Sequence, residues 1–226
     1  VDEREPIATM TGYKPLSRDG FGHILSLRSA ARRASSERNI PWIESRFVGV
    51  HMGGGISVAA MVGGRILDIN NANDEGPFSA ERSGGLPFVD VLDMCDAPGA
   101  TKDSILSRVL RQSGLQGYLG TTDLRDALQR QDDQSKLIIR ALVYQTAKEI
   151  GAYAAVLEGR LHGVVITGGM AHSMEVIATL RTYIKTLAPV FLYPGEEEME
   201  ALTEGVRRVL LGEEQAKQYG GMHDGI

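Results

Sequence analysis

The stretch from Phe47 to Ile69 constrains this chain most, because two glycine clusters cut an apolar, β-branched run into three short pieces. Phe47-Val48-Gly49-Val50 reads as a strand, and the loop Gly53-Gly54-Gly55 follows it. Ile56-Ser57-Val58-Ala59-Ala60-Met61-Val62 starts β-branched and has no helix-capping signal, so it reads as a second strand. Gly63-Gly64 has the form of a two-residue hairpin turn, and Arg65-Ile66-Leu67-Asp68-Ile69 reads as a third strand. The triple-glycine loop therefore joins strands of an antiparallel meander. A dinucleotide-binding loop would open directly into a helix, and a P-loop would be followed by Lys-Ser/Thr. Neither sequel is present.

Asn70 to Pro87, "NNANDEGPFSAERSGGLP", is a polar loop of a length usual for functional or disordered segments. Helices are expected over 19–38, from Phe88 to Met94, and from Thr101 to Arg111 with Thr101 as cap. Another covers "DLRDALQRQ" behind Thr121 or Thr122, and the longest runs from Gln134 to Leu157, ending at Gly159. Then follow a strand at Gly163–Ile166, the turn Thr167-Gly168-Gly169 and a helix from Ser173 to Lys185. A strand at Pro189–Tyr193 and a helix from Glu197 to Leu211 complete the pattern. A meander followed by β-α-β-α predicts an α/β fold, a mixed sheet with helices on both faces. Ligands gather at the strand ends of such sheets.

The length of 226 residues suits one large domain or two small ones, and a formal charge of -5 gives no support for a nucleic-acid partner. No apolar stretch approaches the roughly 20 residues of a membrane span. The acidic N-terminus lacks signal-peptide character and an initiator methionine, which suggests a chain beginning partway through something. The single cysteine, Cys95, forms no internal disulfide, suits a reducing compartment and is expected to pack inside its helix. The tail "GGMHDGI" is expected to fray.

Five segments occur together and in order: "HMGGGISV", "DINNANDEGPFSAERSGGLP", "GYLGTTDLRDA", "VVITGGMAHS" and "YPGEEEMEAL". In them the chain resembles the acetate kinase family, butyrate kinases included, of the superfamily that also holds actin and the sugar kinases. The resemblance implies an actin-like (ribonuclease H-like) ATPase domain. Residues 1–200 would be the second, C-terminal kinase domain, and 201–226 terminal helices that pack on a first domain. That domain's own phosphate loop, asparagine, acyl-side arginine and histidine, and catalytic aspartate have no match here. The implied activity is reversible, direct in-line phosphate transfer from ATP to a short-chain, butyrate-like fatty acid, giving acyl phosphate and ADP. ATP/ADP and Mg²⁺ would take part, in a cytoplasmic homo-oligomer without membrane or nucleic-acid partners. This chain alone is expected to be inactive. A reading from another class is a non-catalytic nucleotide-binding or assembly module.

The same resemblance proposes site residues, and each has a plainer alternative. His23 would hydrogen-bond the phosphoryl group in flight, or be a satisfied, partly buried histidine; Gly22 stands where the family has an aromatic residue. Arg82 would clamp phosphate or carboxylate oxygens, or pair with Glu81 or Asp74. Gly53, Gly54 and Gly55 would cradle phosphate with backbone amides, while His51 either donates to it or pins the strand end. Asp123, Leu124 and Arg125 would flank adenine and ribose, or form an ordinary helix start. Gly168, Gly169 and Met170 would form the adenosine turn, or a structural one. Glu198, with Glu200 as runner-up, would serve magnesium, or belong to a solvated helix start. His162, His172 and His223 read as surface or loop residues.

Overall fold

The computed structural model describes residues 3–196 and 198–216. One five-stranded sheet organises it, in the order β3-β2-β1-β4-β5. β1 (Arg46–Met52), β2 (Ile56–Val62) and β3 (Arg65–Ile69) form the antiparallel meander. β4 (Gly163–Gly168) lies parallel to β1, and β5 (Val190–Pro194) lies parallel to β4. At the β2–β3 hairpin Gly63 and Gly64 have φ of +57° and +78°, the left-handed pair that a twisted two-residue turn requires.

β1, β2 and β4 are buried on both faces, so the alternation of their side chains sorts residues between two cores rather than between core and water. On one face α2 (Ile24–Glu37) sets Leu27, Ala30, Ala31 and Ala34 against Phe47, Ala59, Met61 and Val165. On the other, α7 (Asp133–Val156) and α8 (Met174–Ile184) bring Leu142, Ile150, Ile177 and Leu180 to Val48, Val50, Val58 and Ile166. Gly49 is what lets α2 come close, since a Cβ there would lie 2.6 Å from Met61 Cε and 3.1 Å from Leu27 Cδ2. The remaining helices of residues 3–196 are α1 (Pro6–Thr9), α3 (Phe88–Asp96), α4 (Lys102–Arg111), α5 (Gly114–Leu119) and α6 (Leu124–Gln129).

Several sequence expectations need correction. The first long helix starts at Ile24, not residue 19, which leaves His23 at its N-cap. α3 buries none of its residues, so Cys95 is exposed rather than packed inside. Thr101 caps α4 in a box with Ser104, as expected, but α6 is capped by Asp123, whose carboxylate accepts the Arg125 amide at 2.8 Å. Thr121 acts one step earlier, accepting the Asp123 amide at 3.1 Å. α1 and α5 are too short to show a hydrophobic period and went unpredicted. His223 and the "GGMHDGI" tail lie outside the described residues.

A second compact unit begins at residue 197. Its described part carries α9 (Glu198–Leu210), with Glu198 and Glu200 in the first turn and Arg207 and Arg208 in the last, charges that complement the helix dipole. No described helix is long and apolar enough to cross a membrane.

Candidate active site

Because β1, β4 and β5 run parallel, the loops leaving their C-terminal ends share one rim of the sheet. These are Gly53–Gly55, the single helical turn Gly169–His172, and Gly195-Glu196. Inside the first loop the Gly53 amide donates to the Gly55 carbonyl at 3.0 Å, so one of the three amides is already used. The amides of Gly54 and Gly55 have no hydrogen-bond partner among the described residues. Two free amides in a tight turn form an anion-binding concavity. Ser79 fastens the long polar loop onto this turn by donating to the Gly54 carbonyl at 2.6 Å. The Asn70 side chain, at the start of that loop, extends the ladder, accepting the Val58 amide and donating to the Ile56 carbonyl.

Arg82 arrives on the same loop. Its guanidinium lies directly over Gly55, where a Cβ would come within 2.7 Å of Nη1. Nη1 donates to the Ala72 carbonyl at 3.3 Å, and no carboxylate among the described residues pairs with it. The ion pair with Glu81 or Asp74 does not form. A half-buried cation without a counter-ion beside two free amides is suited to an anionic ligand.

His51 lies behind the glycine loop, not on its surface. It is fully buried, and neither ring nitrogen has a hydrogen-bond partner among the described residues. Nε2 stands 3.7 Å from Glu196 Oε1, and a Cβ on Gly53 would approach it to 2.9 Å. Burial, with His23 adding to it, pushes its pKa down to about 3, so the ring is neutral. His23 stacks on it with centroids 3.8 Å apart and planes 14° apart.

A cavity of about 950 Å³ opens beside the loop. Of the residues singled out in the sequence, Gly53, Gly54, Asp123, Leu124, Arg125, Gly169 and Met170 line it; His51, Gly55, Gly168, His23 and Arg82 do not. Gly168 has φ +94°, and a Cβ there would fall 2.5 Å from the Met52 carbonyl oxygen, so the chain crossing itself requires glycine. Gly169 is the reverse case: nothing lies within 4 Å of its Cβ position. The Arg125 guanidinium is held by the Asp123 carboxylate, which holds that acid down at about 2, so the helix-start role and the cavity-wall role coexist. His172, Glu81, Glu196, Thr122 and Leu128 also line the cavity. His172 reads in the sequence as a surface or loop residue, and it is exposed, at the end of the turn that follows β4. A turn repacked on a parallel strand end was the signal that could have recruited it.

No group of three or more His, Cys, Asp or Glu among the described residues forms a ready cage for a metal. Magnesium does not need one, since it takes one or two carboxylates and completes its shell with phosphate oxygens and water. Glu196 supplies a hard oxygen donor at the cavity wall. Glu198 and Glu200 belong to the second unit.

The model of the acetokinase family matches residues 14–217. The chain belongs to the acetokinase family. Among its relatives are a probable butyrate kinase 2 from Caldanaerobacter subterraneus subsp. tengcongensis, 43% identical over 223 residues, and a probable butyrate kinase from Thermotoga petrophila, 42% identical over 221 residues. Each alignment takes in 97% of this acetokinase-family chain, which spans only 63% and 62% of those relatives' lengths. Among solved structures, it is similar to Porphyromonas gingivalis acetate kinase, with TM-score 0.79 and 22% identity over 90% of this chain and 60% of that one. It is also similar to a Francisella tularensis propionate kinase, with TM-score 0.77 and 19% identity over 89% and 60%. The fold is the actin-like ATPase fold of those kinases.

Proposed function

We propose that the protein carrying this chain is a carboxylate kinase that moves the γ-phosphoryl group of ATP onto a short-chain fatty acid. A carboxylate oxygen forms a bond to phosphorus as the bond to the ADP oxygen breaks, in line and reversibly. The observation that carries this reading is the Arg82 guanidinium, unpaired by any described carboxylate, lying on Gly55 beside two free amides. Phosphoryl transfer depends on positioning and on neutralising the transferring oxygens, and this arrangement supplies both. In the reading, Arg82 and His23 meet the phosphoryl group, and the amides of Gly54 and Gly55 hold nucleotide phosphate. Asp123, Leu124, Arg125, Gly169 and Met170 flank the nucleoside. His51 serves phosphate from behind the loop by shaping it. Magnesium would arrive with the nucleotide and supply positive charge against its phosphates, and Glu198, with Glu200 as runner-up, would be the carboxylate that holds it. The names of the relatives favour butyrate as the acceptor; the proposed setting is a cytoplasmic homo-oligomer.

Trapping of acyl phosphate as hydroxamate, with butyrate and ATP, tests the reading. The protein carrying this chain should turn over; absence of product with butyrate and its shorter and longer homologues would overturn the proposal. The 226-residue chain by itself should bind ATP weakly and form no acyl phosphate, because the relatives devote more than a third of their length to residues it does not align with.

A further inference from the structure

We infer that Ser57 is a positioning residue that fixes the tautomer of His23, with His51 holding the plane of the same ring. This rests on the reading that His23 meets the transferring phosphoryl group. Ser57 is the second residue of β2, fully buried, and it touches His23 twice. The His23 backbone amide donates to Ser57 Oγ at 3.3 Å, and Oγ stands 3.0 Å from His23 Nδ1. A buried hydroxyl hydrogen needs an acceptor. Among the described residues no acceptor for it other than Nδ1 lies within hydrogen-bond distance. The amide occupies one lone pair of Oγ, and the hydroxyl then donates to Nδ1. Nδ1 is therefore the acceptor nitrogen of a neutral imidazole, and the proton sits on Nε2. A histidine so fixed presents an N–H donor at Nε2, the nitrogen farther from the backbone. A phosphoryl oxygen gaining negative charge requires a donor of that kind.

Two further contacts make the arrangement specific. Ser57 holds His23 at its edge, while the neutral His51 ring lies flat on its face at 3.8 Å. Gly22 permits the approach, because a Cβ there would fall 2.6 Å from Ser57 Oγ and 2.9 Å from Ser57 Cβ. A larger side chain at 22 would crowd this contact, so Gly22 and the serine hydroxyl belong to one arrangement.

The test begins with the chain as it stands, ¹⁵N-labelled at histidine, with the His23 signals assigned by their loss in His23→Gln. The expected result is an Nε2–H tautomer for His23 at neutral pH, giving way to a mixture in Ser57→Ala with an unchanged circular dichroism spectrum. An Nδ1–H tautomer in the unsubstituted chain, or the same tautomer in Ser57→Ala, overturns the inference. In the protein that carries this chain, Ser57→Ala should lower kcat about tenfold to a hundredfold, the range for partners that orient a functional histidine, with KM little changed. Added to His23→Ala it should cost nothing further, since it acts through that ring. A full additional loss in the double variant refutes the positioning role. A silent His23→Ala instead removes His23 from the reaction, a failure of the parent reading that the tautomer measurement tells apart.

Discussion

Gly55→Ala should separate the clamp from the fold. The added Cβ would lie 2.7 Å from Arg82 Nη1, 3.1 Å from Cζ and 3.5 Å from Nε, all atoms at the far end of a flexible side chain. Ordinary contact begins near ~3.5 Å, so the guanidinium must retreat by roughly 0.8 Å. Its one tether, the bond to the Ala72 carbonyl, is already 3.3 Å long and will not resist. Gly55 does not have positive φ, so alanine brings no backbone strain. Stability should stay within about 1 kcal/mol, which keeps the melting temperature within about 4 °C. Catalysis tolerates displacement far less: an error of about 1 Å in a catalytic group costs roughly a hundredfold in rate. Hydroxamate trapping in the protein carrying this chain should therefore show kcat down by about two orders of magnitude, with nucleotide affinity within threefold. In an Arg82→Ala background the same substitution should add nothing. Turnover within tenfold of the parent, with Arg82 shown crystallographically to have moved, would refute the claim that its position matters.

Arg82→Ala should cut turnover by about three orders of magnitude or more while ATP titration changes little; a loss under tenfold removes it from the clamp. Gly54→Val points a branched side chain from an exposed position, with only ordinary contact to Glu81 at 3.6 Å, so circular dichroism should hold while ATP affinity falls. Unchanged binding on the same preparation would make the loop only a turn. Gly168→Ala should instead destabilise by at least ~2 kcal/mol, because φ +94° and the Met52 carbonyl 2.5 Å from its Cβ forbid it; an unshifted melting curve refutes that. His51 stays neutral when folded, with a pKa near 3 against an ordinary value near 6.5, so the unfolded state binds more protons between those pH values. Its stabilising effect is complete above pH 6.5 and is lost as pH falls toward 3, by at most about 1.4 kcal/mol per unit, and urea unfolding of His51→Phe should show that slope removed.

The meander, the β-α-β-α half and the helix cap at Thr101 were legible because each is local: turn glycines, β-branched runs and capping side chains act within a few residues. Errors arose where distant chain decided. Cys95 reads as a residue packed inside its helix, yet α3 buries none of its side chains. The sequence leaves His51 open between a phosphate donor and a pin of the strand end, and strand alternation turns it inward onto His23. Gly168 and Gly169 are adjacent in one motif, yet only the first is required by packing, which is visible only once Met52 lies against it. Ser57 carried no signal in the sequence, since its importance comes from a residue 34 positions away.

The parallel pairing of β1 with β4 has a consequence for grafting other proteins onto this one. The loops after β1, β4 and β5 share the cleft rim, and the opposite rim holds connections outside the cavity lining, such as the turn at Glu158-Gly159 with φ of +57° and +69°. β4 separates that turn from the Gly169 loop by six residues, roughly 20 Å at ~3.3 Å per residue. Arg160 beside it is exposed, and its guanidinium pairs only locally with Glu158. A passenger domain spliced at this turn would meet solvent on entry and exit. It would add mass, fluorescence or an affinity handle with the cleft rim a full strand length away.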